Sequence, residues 1–312
     1  MHKEQHDKEK NGQWTSKSIG SNFQHNIFYF LIRYGGRGAS YALLNCVAVY
    51  YTLFRPAIRK KANYYLTRRF KTHNPLAQLL HCYRIYVDLG KALIDRATIG
   101  IKGVESINIV SHDLDKLLAL IREGHGLILL TAHVGCWQIA MAQLRSFNAP
   151  VSLLLHREEG DVDLHYFEHT GVSAPFRIID PLGYMSGVLE MMDVLRKGEV
   201  VSIMGDRVFG SDKNTVSVNF LGGKVRFPFS AFKLASATGA PIAVHLSYKS
   251  GPDSYEFILD RTIRVPAGLS KTEEALRPYV AQFADALESY TERYPYQFFN
   301  FYDMWENAER SE

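Results

Sequence analysis

The strongest constraint on this chain is a set of short, almost wholly apolar runs separated by stretches with helical period. "LILLT" (Leu127 to Thr131), "VSLLL" (Val151 to Leu155) and "VVSIM" (Val200 to Met204) show little polar alternation. Each predicts a strand buried on both faces, as in sheets whose helical crossovers cover both sides. The intervening segments supply the helices. Leu114, Leu117, Leu118 and Ile121 follow i, i+3, i+4, i+7 spacing, with Ser111 as the expected cap and Gly124 as the stop. Val188, Met191, Met192 and Leu195 mark another, stopped at Gly198. Further helices are predicted from about Gly135 to Phe147, in "FSAFKLASATG" before the strand "PIAVHLSY", and over Lys271 to Arg293. "VSVNFLGGKVRF" (Val216 to Phe227) reads as a hairpin shaped by Gly222 and Gly223, with Pro228 at its exit. The expected fold is α/β: a single domain with a mostly parallel central sheet flanked by helices, plus an N-terminal membrane-associated helix.

That last element rests on Ala39 to Phe54, "ASYALLNCVAVYYTLF", an uncharged run of 16 residues. It abuts a block holding Arg55, Arg59, Lys60, Lys61, Arg68, Arg69 and Lys71 with no acidic residue. A helix of that length covers about 24 Å, short of the roughly 20 residues that cross a bilayer. An apolar run against a basic flank predicts a helix lying in or dipping into an anionic membrane surface; a buried core helix is the alternative. By the positive-inside rule, the bulk of the chain is then expected on the cytoplasmic face of an inner membrane. The same arrangement argues against nucleic acid as a partner, although the formal net charge is +4. Residues 1 to 22 are polar and lack the apolar core of a cleavable signal peptide. With 46% hydrophobic and 22% charged residues, disorder is excluded for most of the chain. Cys46, Cys82 and Cys136 form no CxxC pair and the 12 histidines no HExxH spacing, so neither a disulfide framework nor a metal site is expected.

Sites in parallel sheets gather beyond the carboxyl ends of the strands. His133 and Asp206 both fall there, each just past a buried run. In a strand-to-helix turn, His133 would present its imidazole at the sheet edge, beside the N-H groups of the next helix near Gly135 and Cys136. That suits a general base next to a site for negative charge. His133 and Gln138 lie five residues apart, and on one continuous helix their side chains would diverge by about 140°. They can meet only if His133 belongs to the loop.

"AHVGCWQ" (Ala132 to Gln138) resembles the H-x4-D/E motif of the lysophospholipid acyltransferase superfamily, and more narrowly the His-x-Gly-Asn-Trp-Glu version of the bacterial acyltransferases that add secondary chains to lipid A. "QWTSKSIGS" (Gln13 to Ser21), "IRYGGRGASYALLNCVAVYYTLFRPAIRKKANYYL" (Ile32 to Leu66), "GDR" (Gly205 to Arg207), "NFLGGKVRFPFSAFKLASATGAPIAV" (Asn219 to Val244) and "LESYTERYPYQFFNFYDMW" (Leu287 to Trp305) are similar to that family's blocks in the same order. The resemblance implies transfer of a fatty acyl chain from an acyl thioester, on acyl carrier protein or coenzyme A, to a hydroxyl or amine of a membrane lipid or glycolipid. It implies no metal and no further cofactor. His133 would be the base, with Gly135, Arg207, Gly222 and Gly223 on the substrate side. The expected organisation is a polar tail over 1–22, a membrane-anchoring helical segment over 23–71 and an acyltransferase domain over 72–312.

Gln138 stands where the family carries a carboxylate. An amide oxygen can orient the histidine but cannot stabilise the imidazolium. Either Asp206 supplies that charge, or the enzyme is slow, or the chain has become a non-catalytic lipid-binding or assembly subunit. Cys136 reads as a small packing residue, with a thiol nucleophile as its rival. Trp137 reads as core packing. The aromatic "YPYQFFNFYDMW" suits either an acyl-chain contact or a cap on the core, with Asn300 and Asp303 as its polar residues.

Overall fold

The computed structural model describes residues 22–136, 139, 147, 149–156, 176–181, 183–208 and 214–306. Four helices come first: α1 (Asn22–Phe30), α2 (Gly36–Phe54), α3 (Pro56–Phe70) and α4 (Pro75–Lys102). Then follow β1 (Asn108–Ser111), α5 (Leu114–Arg122), β2 (Leu127–Thr131), β3 (Val151–Leu154), β4 (Phe176–Ile179), α6 (Val188–Arg196) and β5 (Val200–Met204). The hairpin β6 (Thr215–Phe220) and β7 (Gly223–Pro228) leads to α7 (Ser230–Thr238), β8 (Ile242–Lys249), β9 (Ser254–Ile263) and α8 (Glu273–Arg293). Seven strands form one sheet in the order β1-β9-β8-β2-β5-β3-β4. The five from β8 to β4 are mutually parallel, while β9 runs antiparallel to β8 and β1 parallel to β9. The α/β sheet is therefore mixed but largely parallel.

Strand geometry sends successive side chains to opposite faces. In β2, Ile128 and Leu130 enter the large core with Phe283 and Leu287 of α8, while Leu127 and Leu129 enter a second core with Leu117 and Leu120 of α5. Covering both faces explains the unbroken apolar runs. Ser111 does not cap α5 but closes β1; Asp113 precedes the helix, its carboxylate pairing with Lys116 at 2.8 Å and accepting from Leu259 N at 3.2 Å. The terminal helix starts at Glu273, where the Thr272 hydroxyl accepts from Ala275 N. Most of the helix predicted from about Gly135 to Phe147 lies outside the described residues.

The expectation of a membrane-associated N-terminal helix, and the inner-membrane placement drawn from it, is overturned. Among the described residues no helix is long and apolar enough to cross a membrane. The apolar run lies in α2, whose Ser40, Leu44, Ala48 and Thr52 are buried. Leu44 seats against Gly90 of α4 so closely that a Cβ at Gly90 would fall 2.2 Å from Leu44 Cδ1. The inner face of the run packs on a helix distant in sequence, while Val49, Tyr50, Leu53 and Phe54 of its carboxyl half are exposed. Part of the basic flank is also turned to structural work. Arg59 Nη1 donates to Thr52 O and Leu53 O at the carboxyl end of α2, and Arg69 donates to Thr291 O and Glu292 O at that of α8, where helix carbonyls lack intrahelical partners.

A buried carboxylate ties these helices to the sheet. Asp95 of α4 is fully buried and accepts from Tyr41 of α2, Lys249 of β8 at 2.7 Å and Tyr255 of β9 at 2.7 Å, with Arg37 of α2 at 3.6 Å. Removing one partner of such a cluster strands the others. Asp95→Ala is expected to lower unfolding free energy by about 3–5 kcal/mol, measured by urea denaturation. Tyr41→Phe, which keeps the charges matched, should cost about 1 kcal/mol.

His245 of β8 is buried and stacks on Phe257. Burial pushes its imidazole down to about 4, against a smaller upward pull from Asp113. In the unfolded chain the ring takes a proton near pH 6.5. Protonation between those values therefore favours the unfolded state, and stability falls as pH drops through that window by about 1.4 kcal/mol per unit. Chemical denaturation at pH 7 and pH 5 should show a smaller loss for His245→Phe than for the native chain.

Candidate active site

The parallel register of β2 and β5 places Thr131 opposite Met204, and Gly205 N continues the ladder by donating to Thr131 O at 2.9 Å. Two residues past these partners stand His133 and Asp206. A side chain at 205 would collide with Leu130 and Phe283, so glycine lets Asp206 follow the strand end closely. His133 Nδ1 lies 2.9 and 3.0 Å from the two Asp206 carboxylate oxygens. A carboxylate only accepts, so Nδ1 carries the hydrogen and Nε2 holds the basic lone pair. The His133 side chain is 18% exposed and that of Asp206 1%: the imidazole meets solvent while the carboxylate is sealed.

Burial works to raise the Asp206 carboxyl, but the charge and hydrogen bond of His133, joined by the Arg207 charge, outweigh it and hold the group below its usual range. Arg207 is itself buried, with Nε 4.0 Å from Asp206 Oδ2 and Nη2 donating to Phe299 O at 2.9 Å. Tyr302 lies close enough for the Asp206 charge to act on its phenol, which burial chiefly raises and so keeps protonated.

The loop carrying His133 is clamped from two sides. Val134 bridges antiparallel to Phe298, Phe299 N donates to His133 O at 2.9 Å, and Gly135 N donates to Gln297 O at 2.9 Å. From β8, the Ser247 hydroxyl accepts from Cys136 N at 3.3 Å and donates to Val134 O at 3.2 Å. The amides of Gly135 and Cys136, expected at the start of a helix and open to a negative charge, are thus engaged by Gln297 and Ser247. Gly135 adopts φ +53°, and a Cβ there would fall 2.2 Å from Ser247 O. Sequence reasoning missed this clamp because its partners lie over a hundred positions away.

The other expected residues divide. Gln138 and Trp137 lie outside the described residues. Gly222 forms the hairpin turn at φ +73°, and Gly223 lies against Arg68 and Trp305. Among the described residues the hairpin meets the histidine loop through packing, with Phe220 edge-on to Phe298. Cys136 is buried, its thiol directed at Ala92 O at 3.7 Å, as a packing residue would be. Asn300 is buried, its oxygen accepting from Tyr302 N, while Asp303 is exposed.

Two strands along, the pattern repeats. His156 follows β3 and Asp180 follows β4, with Nδ1 3.2 Å from a carboxylate oxygen. Across β2, β5, β3 and β4 the carboxyl edge therefore carries His133, Asp206, His156 and Asp180 in turn. "LLLH" and "RIID" held the signal for the second pair. Among the described residues no group of three or more His, Cys, Asp or Glu is placed to hold a metal ion.

With this sheet and this edge in view, the comparisons give the chain its class. Residues 89–307 match the family described as bacterial lipid A biosynthesis acyltransferase, and the chain belongs to that family of acyltransferases. No curated protein matches it. Among solved structures it is similar to the 1-acyl-sn-glycerophosphate (LPA) acyltransferase PlsC from Thermotoga maritima, at 15% identity over 79% of this chain and 96% of that one. The TM-score is 0.33, and that likeness carries no argument.

Gly135→Ala is expected to destabilise the fold by about 1–3 kcal/mol. Gly222 also has positive φ but faces open space, so Gly222→Ala should cost about 1 kcal/mol. Urea titrations of the two variants test the order.

Proposed function

We propose that the chain transfers a fatty acyl group from a thioester, on acyl carrier protein or coenzyme A, to a hydroxyl or amine of a lipid or glycolipid, with His133 as general base. The observation that carries this reading is the carboxylate of Asp206 on His133 Nδ1. His133 Nε2 removes the acceptor proton as the acceptor oxygen or nitrogen attacks the thioester carbonyl. The tetrahedral intermediate then collapses, breaking the carbon-sulfur bond, and the imidazolium returns its proton to the departing thiolate. Asp206 stabilises that imidazolium, a charge that Gln138 cannot supply. Arg207 keeps Asp206 ionised and in place. Since the amides of Gly135 and Cys136 are engaged, the oxyanion takes its hydrogen bonds from other donors.

The alternative of a non-catalytic lipid-binding subunit drew its force from the missing carboxylate at 138, and the Asp206 contact weakens it. Mass spectrometry of lipids from a host lacking its own copy of the gene tests the choice. The native chain should add one acyl chain to a lipid. His133→Ala should abolish the addition, Asp206→Asn should slow transfer by about 10²- to 10⁴-fold, and Gln138→Glu should preserve or raise it. Full activity in His133→Ala would sink the mechanism. An unimpaired Asp206→Asn would remove the aspartate from it.

A further inference from the structure

A cavity of about 480 Å³ opens beside α3, lined in part by Arg59, Lys60, Asn63, Tyr64, Arg68 and Asp303. The five α3 residues recur at one- and three- to four-residue intervals, which gathers them on one face of the helix. Three cations and one carboxylate thus share a shallow cleft that is open to solvent. Among the described residues no carboxylate pairs with Arg59, Lys60 or Arg68.

The two guanidinium groups are held by contacts that leave their charge intact. Arg59 donates to the carbonyls of Thr52 and Leu53, and Arg68 lies over the Trp305 ring at 4.6 Å. Gly223 leaves room for that stack, since a Cβ there would fall 2.6 Å from Arg68 Nη1 and Trp305 Cδ1. The Arg68 guanidinium, preset on Trp305, suits a phosphate; Lys60 adds a point charge, and Arg59, with Nη1 engaged by two carbonyls, adds its charge. Asp303 repels an anion but can accept from a hydroxyl, so the fitting group is a phosphate ester on a hydroxyl-bearing carbon skeleton.

We propose that this cavity binds a phosphate ester of one of the two substrates. The inference rests on the acyl-transfer reading, because carrier-type thioester donors and phosphorylated lipid acceptors both bring such a group. Trp305 stacks on Phe220, Phe220 meets Phe298, and Phe298 bridges Val134 beside His133. One aromatic column therefore fixes the cavity relative to the base.

Isothermal titration of the full chain at constant ionic strength tests it with two pairs of probes: phosphopantetheine against pantetheine, and glycerol phosphate against glycerol. At least one phosphorylated probe should bind about tenfold or more tightly than its phosphate-free counterpart. The double variant Lys60→Gln/Arg68→Gln should lose that preference, and His133→Ala should keep it. Preference for phosphopantetheine alone assigns the cavity to the donor, for glycerol phosphate alone to the acceptor, and for both to phosphate esters generally. No preference in the native chain, or one untouched by the double variant, overturns the proposal. Arg68→Lys, which retains the charge, should hold part of the preference and, with matched thermal melts, separates lost binding from lost folding. If transfer is absent while the phosphate preference persists, the phosphate-ester site stands and its assignment to an acyl-transfer substrate falls.

Discussion

The register between β2 and β5 governs the site. Two parallel strands paired Thr131 to Met204 end at the same edge, so residues the same distance past their ends become neighbours without any special turn. A one-residue slip would send His133 and Asp206 to different depths and turn Leu129 and Leu130 into each other's cores. Both cores oppose that slip, because each face of β2 is covered. Chemistry at the edge is in this sense a by-product of packing in the middle of the sheet.

The helices before the sheet are joined to it by charge as well as by apolar contact. Asp95 draws groups from α2, β8 and β9 to one buried point. An ionic cluster of this kind confers less stability than an apolar equivalent of the same volume, but it tolerates few alternative arrangements. Its contacts join α2 to α4 and to β8 and β9 of the sheet.

How much was legible in the sequence depended on how local the cause was. Unbroken apolar runs announced β2, β3 and β5, because burial on both faces removes alternation. His133 and Asp206 followed from their positions past those runs. β1 and β4 stand at the two edges of the sheet and, like the reversed β9, carry partly exposed or exposed positions, so no unbroken apolar run marks them. The error over Ala39 to Phe54 has the same root: an apolar helix facing another helix and one facing lipid look alike until the partner is known. The amides of Gly135 and Cys136 were misjudged because a helix start was assumed there, whereas Gln297 and Ser247 determine the backbone. No local pattern marks a glycine whose φ is imposed by a strand over a hundred residues downstream.

The clamp on the histidine loop also sets an order of events. Gln297 and Phe299 follow every described strand of the sheet in the chain, yet they supply the hydrogen bonds that hold His133 and Gly135. The loop bearing His133 acquires its final shape only when this distant segment docks, and the same segment adds Tyr296, Phe298 and Phe299 to the large core. Contacts of such wide sequence separation form slowly and late in folding. The candidate site therefore takes its final geometry from tertiary docking and not from the sequence of its own loop.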